Sequence, residues 1–281
     1  MSEFREIEAP AKTNLWLNVL GKREDGFHEI ETRMVPLSLA DHLNVAWRED
    51  EQVSMTCSDS SLPTGEENLC IQAVRAMEKH HDKVFAVHIE LEKKIPSGAG
   101  LGGGSSDAAA VLRAINDMAA LEMSDDELAA VGATIGSDVP FFVYGRPCDC
   151  RGRGEIVEPI EESVGVHPLL LVKPAFEISA SSAYQAFEKS AEYEGFNYSA
   201  QSSPFGEMVN DLERPVFEKF PILGEMKQWL LNQNEIKAAL LSGSGSTMLA
   251  LLKKDQVAEP LIADVRARYG ENCWTCFCET R

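Results

Sequence analysis

Residues 96–107 read Pro-Ser-Gly-Ala-Gly-Leu-Gly-Gly-Gly-Ser-Ser-Asp, with five glycines among the seven positions 98–104. Such density suits neither a helix nor a strand, because glycine loses more backbone freedom on ordering than any other residue. The segment must be a shaped turn, and its flanks say what it joins. Upstream, Phe85, Val87, Ile89 and Leu91 alternate with Ala86, His88, Glu90 and Glu92, which predicts a strand over 84–95 with one buried face. Downstream, Ala108, Val111, Leu112, Ile115 and Ala119 form a one-sided apolar stripe that predicts a helix over 107–121. A glycine-rich turn between strand and helix makes a concave surface of backbone amides suited to phosphate. The candidate set is Pro96, Ser97, Gly98, Ala99, Gly100, Leu101, Gly102, Gly103, Gly104, Ser105 and Ser106, the two serine hydroxyls adding donors.

Two familiar phosphate loops do not fit. Gly98-x-Gly100-x-x-Gly103 matches the dinucleotide fingerprint in form, and Glu122 follows at a compatible distance. A first strand of that fold is buried on both faces, however, whereas 84–95 alternates, and Glu122 falls between two helices instead of ending a strand. A Walker loop would end in Gly-Lys-Ser/Thr, which is missing here.

Charge narrows the partners. With 26 Lys+Arg against 45 Asp+Glu the formal net charge is −19, which argues against nucleic acid and against anionic membranes. A phosphorylated ligand would have to be drawn by local amides, a few lysines and a metal ion, because the global field opposes it. No apolar run approaches a bilayer span. The acidic start MSEFREIEAP lacks the zones of a secretion signal, and the cysteine count is odd, at seven, so a reduced cytoplasmic protein is expected.

Along the rest of the chain, Leu15, Leu17 and Val19 alternate with polar neighbours before a turn at Asp25-Gly26, a hairpin-like opening. An extended segment is expected around Leu43, Val45 and Trp47, and a helix over 68–81. Ser124 and Glu127 form a capping box for the next helix. Pro140 is expected to hold Val139 extended and so to present Asp138 on a turn. Beyond 159 the pattern reads strand (169–172), helix (181–193), a polar irregular stretch (194–206), helices (214–220 and 221–233), strand (237–241), a Ser/Gly turn, strand (248–252), helix (257–269) and a cysteine-rich strand (272–280). This order predicts an α+β chain in two lobes, 1–158 and 159–281. In the last strand Trp274, Cys276 and Cys278 share one face and Cys273 and Phe277 the other, which disfavours a shared zinc ion, so no metal ligands are expected.

Five blocks in order resemble the GHMP small-molecule kinases: PAKTNLWLNVLGKREDGFHEIETRMVPLSLADHL (10–43), PSGAGLGGGSSDAA (96–109), IGSDVPFF (135–142), RGRGE (151–155) and LLSGSGSTMLA (240–250). The resemblance spans essentially the whole chain. It is strongest to the branch that phosphorylates a cytidine-diphosphate-linked methylerythritol in non-mevalonate isoprenoid synthesis. It implies a two-lobed fold with a ribosomal S5 domain 2-like N-terminal lobe and a ferredoxin-like C-terminal lobe. It also implies ATP with Mg²⁺ and transfer to the 2-hydroxyl of that small-molecule substrate. By the same resemblance Asp138 matches the base and Lys12 its partner, and Asn14 a contact to the acceptor. Phe27 and Tyr184 would sandwich the cytosine and His28 read its edge, while 243–247 would form the third motif.

The chemistry agrees, since transfer to an alcohol needs an aligned hydroxyl, a place for its proton and donors where charge gathers. The chain departs from the family pattern at Ser137, which replaces alanine, at Thr13, which replaces an aliphatic residue, and at Cys148-Asp149-Cys150. Another GHMP kinase acting on mevalonate, homoserine or a sugar, and a catalytically silent nucleotide-binding relative, remain as alternatives, and the sequence sets no oligomeric state.

Overall fold

A computed structural model of the protein describes residues 4–161, 163–254, 256 and 258–281. The opening alternation makes one long antiparallel hairpin. Strand β1 (Arg5–Lys22) pairs with β2 (His28–Trp47) from Arg5 opposite Val45 to Lys22 opposite His28. The segment expected around Leu43, Val45 and Trp47 is thus the far end of β2 and not a separate strand. Register shifts between Pro10 and Lys12 and between Asn14 and Trp16 interrupt the pairing. Between them β1 is covered on both faces, and residues 11–15 are all buried.

The first half continues with β3 (Ser54–Cys57), α1 (Leu69–His81), β4 (Val87–Glu92), α2 (Gly103–Met118), α3 (Asp125–Ala133), α4 (Val139–Tyr144), β5 (Cys148–Gly152) and β6 (Ile156–Pro159). Asn68 caps α1 by accepting from the Cys70 amide, and the Ser124/Glu127 capping box starts α3 with both of its bonds made. The second half holds β7 (Pro168–Lys173), α5 (Ala180–Phe187), β8 (Gln201–Ser203), β9 (Gly206–Asn210), α6 (Glu213–Lys219), α7 (Pro221–Leu231), β10 (Ile236–Leu241), β11 (Met248–Leu252), α8 (Glu259–Tyr269) and β12 (Trp274–Glu279).

Two sheets result. The larger runs β3-β4-β2-β1-β9-β8, with β5 pairing the first part of β2, β4 the last part, and β6 pairing β5. One core joins its Leu43, Val45 and Ile89 to Val111 and Leu112 of α2 and Phe141 of α4. The smaller sheet, β10-β11-β7-β12, is antiparallel throughout, and its two central strands, β11 and β7, are buried on both faces, which is why they read as nearly unbroken apolar runs. Leu170, Val172, Ala250 and Leu252 pack on the helices of the second half. Leu169, Leu171, Leu249 and Leu251 pack instead with Ala11, Ile95, Ala99 and Leu101, each buried leucine contributing about 2 kcal/mol. That second contact seats the glycine-rich turn against the smaller sheet.

Several expectations shift. The polar stretch 194–206 contains β8 and the start of β9, and β9 runs parallel to β1, Trp16 opposite Val209 and Leu17 opposite Asn210. The second half of the chain therefore adds two short strands to the first sheet. Helix α5 ends at Phe187, and α2 begins four residues early, at Gly103. Val139 opens α4 instead of staying extended, because Pro140 at the second helical position removes only an amide that lacks an intrahelical partner. Val257, the expected start of the last helix, lies outside the described residues. In β12, Trp274, Cys276 and Cys278 face the core between the sheets as expected, while Cys273, just before the strand, joins the helical core and Phe277 is exposed. Among the described residues no helix is long and apolar enough to cross a membrane.

Candidate active site

A cavity of about 890 Å³ gathers residues from both halves of the chain. The glycine-rich turn lines it from Pro96 through Ser105, while Ser106 lies behind the first turn of α2, buried, its hydroxyl without a partner among the described residues. The turn is held by its carbonyls. Lys12 N donates to Leu101 O at 2.9 Å, Ser242 Oγ to Gly100 O at 3.2 Å and Thr247 N to Ala99 O at 3.3 Å. Gly100 has φ +75°, and a Cβ there would lie 2.1 Å from Ser242 O. The close approach of two backbones therefore demands glycine at that position. Gly102, at φ +73°, caps α2, so the helix opens with amides that have no carbonyl behind them.

Above the turn, bonded side chains fix an ammonium group. The Thr32 hydroxyl donates to Trp16 O at 2.6 Å, Asn14 Nδ2 donates to Thr32 Oγ1 at 2.7 Å, and Lys12 Nζ donates to Asn14 Oδ1 at 2.9 Å. Lys12 is 5% exposed, and its Nζ stands 3.5 Å from Asp138 Oδ2. Asp138 precedes α4 but makes no side-chain cap bond, so its carboxylate faces the cavity without helix duty. The Thr13 hydroxyl shares a 3.1 Å hydrogen bond with Ser242, so this departure ties β1 to the Ser/Gly turn. Cys148 and Cys150 are buried in the larger core, and the intervening Asp149 binds Arg33 through two bonds of 2.7 and 2.8 Å.

The far end of the cavity is aromatic. Asp25 Oδ1 accepts from Phe27 N at 3.1 Å, shaping the turn that leaves the Phe27 ring half exposed. His28 is buried, its ring stacked on Tyr184 at 5.6 Å between centroids, and its Nε2 has no partner among the described residues. Arg153 holds its guanidinium 4.7 Å above the Phe27 ring. All five of these residues line the cavity. Every predicted site residue except Ser106 is thus brought to one place. Arg153 was visible in the RGRGE block but carried no assigned role.

Family models match the chain as GHMP kinases N terminal domain over residues 68–146 and GHMP kinases C terminal over 198–271. A 4-diphosphocytidyl-2-C-methyl-D-erythritol kinase of Methylacidiphilum infernorum is 37% identical, covering 97% of this chain and 96% of that protein. The chain belongs to the 4-diphosphocytidyl-2-C-methyl-D-erythritol kinase family of GHMP kinases. The family's enzyme from Syntrophotalea carbinolica is likewise 37% identical, with 96% of each chain covered. A crystal structure of a 4-(cytidine 5'-diphospho)-2C-methyl-D-erythritol kinase superposes with a TM-score of 0.78 at 33% identity, over 98% of this chain and 99% of that one. The mevalonate kinase of Methanococcus jannaschii shares the fold, with a TM-score of 0.72 at 14% identity and 99% of each chain covered.

One cluster in this GHMP kinase escaped sequence reasoning, because its members lie on β2, after β4 and on α2. Lys93 Nζ binds Asp107 Oδ2 at 2.8 Å and also Asp41. Asp41 Oδ1 accepts in addition from the amides of Lys94 and Ile95 at 2.5 and 2.8 Å. Lys93 and Asp107 reach the cavity wall beside the glycine-rich turn. Burial pushes the Asp107 carboxyl up to about 7, against the pull of Lys93. A carboxyl raised above its unfolded value of 3.8 favours the fold below that pH, and the contribution is lost as pH climbs through about 7. Asp107→Asn keeps an acceptor for Lys93 and removes one buried charge. Its Tm relative to the parent is expected to rise between pH 5 and pH 8, by about 3 °C or more at the upper end. Thermal melts showing the same offset at both pH values would contradict this assignment.

Proposed function

We propose that this chain transfers the γ-phosphoryl group of ATP to the 2-hydroxyl of 4-diphosphocytidyl-2-C-methyl-D-erythritol, giving the 2-phosphate and ADP. The observation that carries the reading is the convergence of Lys12 and Asp138, 3.5 Å apart, on a cavity that the glycine-rich turn also lines. The amides of that turn and of the first turn of α2 take the nucleotide phosphates, local attraction that the overall charge of −19 does not supply. Asp138 accepts the proton of the acceptor hydroxyl. The freed oxygen bonds to the γ-phosphorus while the bond to the β-phosphate oxygen breaks, and ADP leaves with that electron pair. Lys12, held by Asn14, stands 3.5 Å from Asp138 and offsets charge on the transferring oxygens.

Magnesium fits the donors at hand. The Ser105 hydroxyl offers a hard oxygen atom to the cavity beside the glycine-rich turn, suited to an ion that keeps several of its waters. When bound, the ion draws charge from the phosphate oxygens.

At the aromatic end Phe27 and Tyr184 supply the faces for cytosine. The partnerless His28 Nε2 reads its edge, a bond that relieves the cost of a buried unsatisfied nitrogen. We place the division between the lobes after residue 158, close to the end of β6, and the reaction in the cytoplasm.

The test is ADP release with ATP, Mg²⁺ and a panel of the cytidylyl methylerythritol, its cytidine-free analogue, mevalonate and homoserine. Turnover is expected with the first alone. Equal turnover with the cytidine-free analogue would remove the aromatic end from recognition, and preference for mevalonate or homoserine would overturn the acceptor.

A further inference from the structure

The free edge of β10 is finished by side chains instead of a neighbouring strand. Gln201 of β8 donates to Ala239 O at 2.7 Å and accepts from Ala239 N at 2.9 Å. Two residues on, Glu213 accepts from Leu241 N at 2.9 Å and Asn210 donates to Leu241 O at 2.8 Å. The spacing of two is that of the outward backbone groups on a strand edge. Glu213 is itself pinned by Lys227 at 2.5 Å, and both are buried.

Asn210 does more than cover an edge. Its Nδ2 also donates to Gly243 O at 2.7 Å, and its Oδ1 accepts from Leu212 N at 2.9 Å, all within the protein, where the residue is 3% exposed. The next residue grips the other side of the site. Asp211 N donates to Leu17 O at 3.0 Å, and Asp211 Oδ2 accepts from Val19 N at 2.8 Å. One corner of the chain therefore holds both β1, which carries Lys12 and Asn14, and the Ser/Gly turn that faces them. Contact between the two is close, since a Cβ on Gly243 would lie 3.3 Å from both Lys12 Nζ and Asn14 Oδ1.

The other flank of the turn has anchors of its own. Ser242 Oγ reaches Gly100 O and Thr247 N reaches Ala99 O without help from Asn210. Loosening Asn210 thus frees the Gly243 side, toward Lys12, more than the side that shapes the phosphate cradle.

We propose that Asn210 is a positioning residue for phosphoryl transfer: its carboxamide sets Gly243 against Lys12 and Asn14, and so fixes the ammonium relative to Asp138. This rests on the kinase reading above and adds a residue that touches no substrate. Asn210→Ser removes the double donor, and Asn210→Asp keeps the acceptor for Leu212 N while losing both donors. Leu230→Ala, a core truncation on α7 outside the cavity, serves as the control for loss of stability alone.

Steady-state kinetics on Asn210→Ser are expected to show kcat lowered about tenfold or more with the ATP KM within about threefold of the parent. Leu230→Ala with a comparable loss of Tm is expected to keep its kcat within about threefold. Hydrogen exchange of residues 242–247 should quicken in Asn210→Ser and not in Leu230→Ala. A kcat no lower than that of the control, or turn amides that exchange as in the parent, overturns the proposal. Failure of both Asn210 variants to fold overturns a role confined to positioning. The exchange measurement needs no acceptor, so a parent chain inert toward the cytidylyl acceptor sinks the functional reading while the turn is still tested.

Discussion

Asp138→Asn is expected to lower kcat by about a thousandfold or more while ATP binding stays within a few-fold of the parent. The substitution preserves size and touches little of the fold. The carboxylate makes no cap bond to α4, and its contact with Lys12 is a 3.5 Å pair at a side chain one-third exposed, whose net stabilisation is about 1 kcal/mol or less. What is lost is chemical. An amide cannot take the hydroxyl proton, and it cannot balance the Lys12 ammonium, which then turns to Asn14 alone. Because the transition state can be largely dissociative, part of the loss comes from a hydroxyl no longer drawn into line, and the measurement reads both effects together. Initial-rate ADP release and equilibrium titration with a non-hydrolysable nucleotide separate transfer from binding. Undiminished turnover would remove Asp138 from the mechanism, and parallel loss of nucleotide affinity would make its role structural.

Much of the frame was legible because its signals are local. The alternation through Val87, Ile89 and Leu91, the stripe from Ala108 to Ile115 and the Ser124/Glu127 box each act within a few residues of themselves, and each marks the element expected of it, although the strand is shorter than 84–95, at Val87–Glu92. The misread parts depend on distant partners. Strands β8 and β9 are short and largely polar, and they become strands by pairing with each other and, through β9, with β1. Val139 reads as extended from the proline that follows it, yet it stands at the first position of α4, where that proline's missing amide costs no intrahelical bond. The same division runs through the site. The glycine-rich turn declares itself from composition, whereas Lys12 and Asp138 have no spacing that joins them and were paired through resemblance. The Lys93 cluster and the corner at Asn210 had no local pattern at all, since their partners come from different strands and helices.

Gly100→Ala is expected to abolish measurable nucleotide binding, with affinity down about a hundredfold or more, and to lower Tm by about 5 °C or more. Two costs coincide at this position. A side chain at φ +75° is strained on its own, by about 1–2 kcal/mol. The new Cβ would also stand 2.1 Å from Ser242 O and 2.9 Å from Gly245 O, which are backbone atoms that cannot swing aside as a side-chain end would. The turn and the Ser242–Gly245 segment must therefore separate. Separation breaks the Ser242 Oγ bond to Gly100 O and moves Gly243 away from Lys12, so the cradle and the ammonium are disturbed together. Gly104→Ala supplies the contrast. That residue sits in the first turn of α2 without a positive φ, and its Cβ would meet only Leu69 Cδ1 at 3.4 Å. Alanine there is expected to leave Tm unchanged or raise it by about 1–2 °C, because it favours helix. Differential scanning fluorimetry and nucleotide titration on both variants decide the matter: a Gly100→Ala protein that binds ATP normally would mean that phosphate is held by something other than this turn.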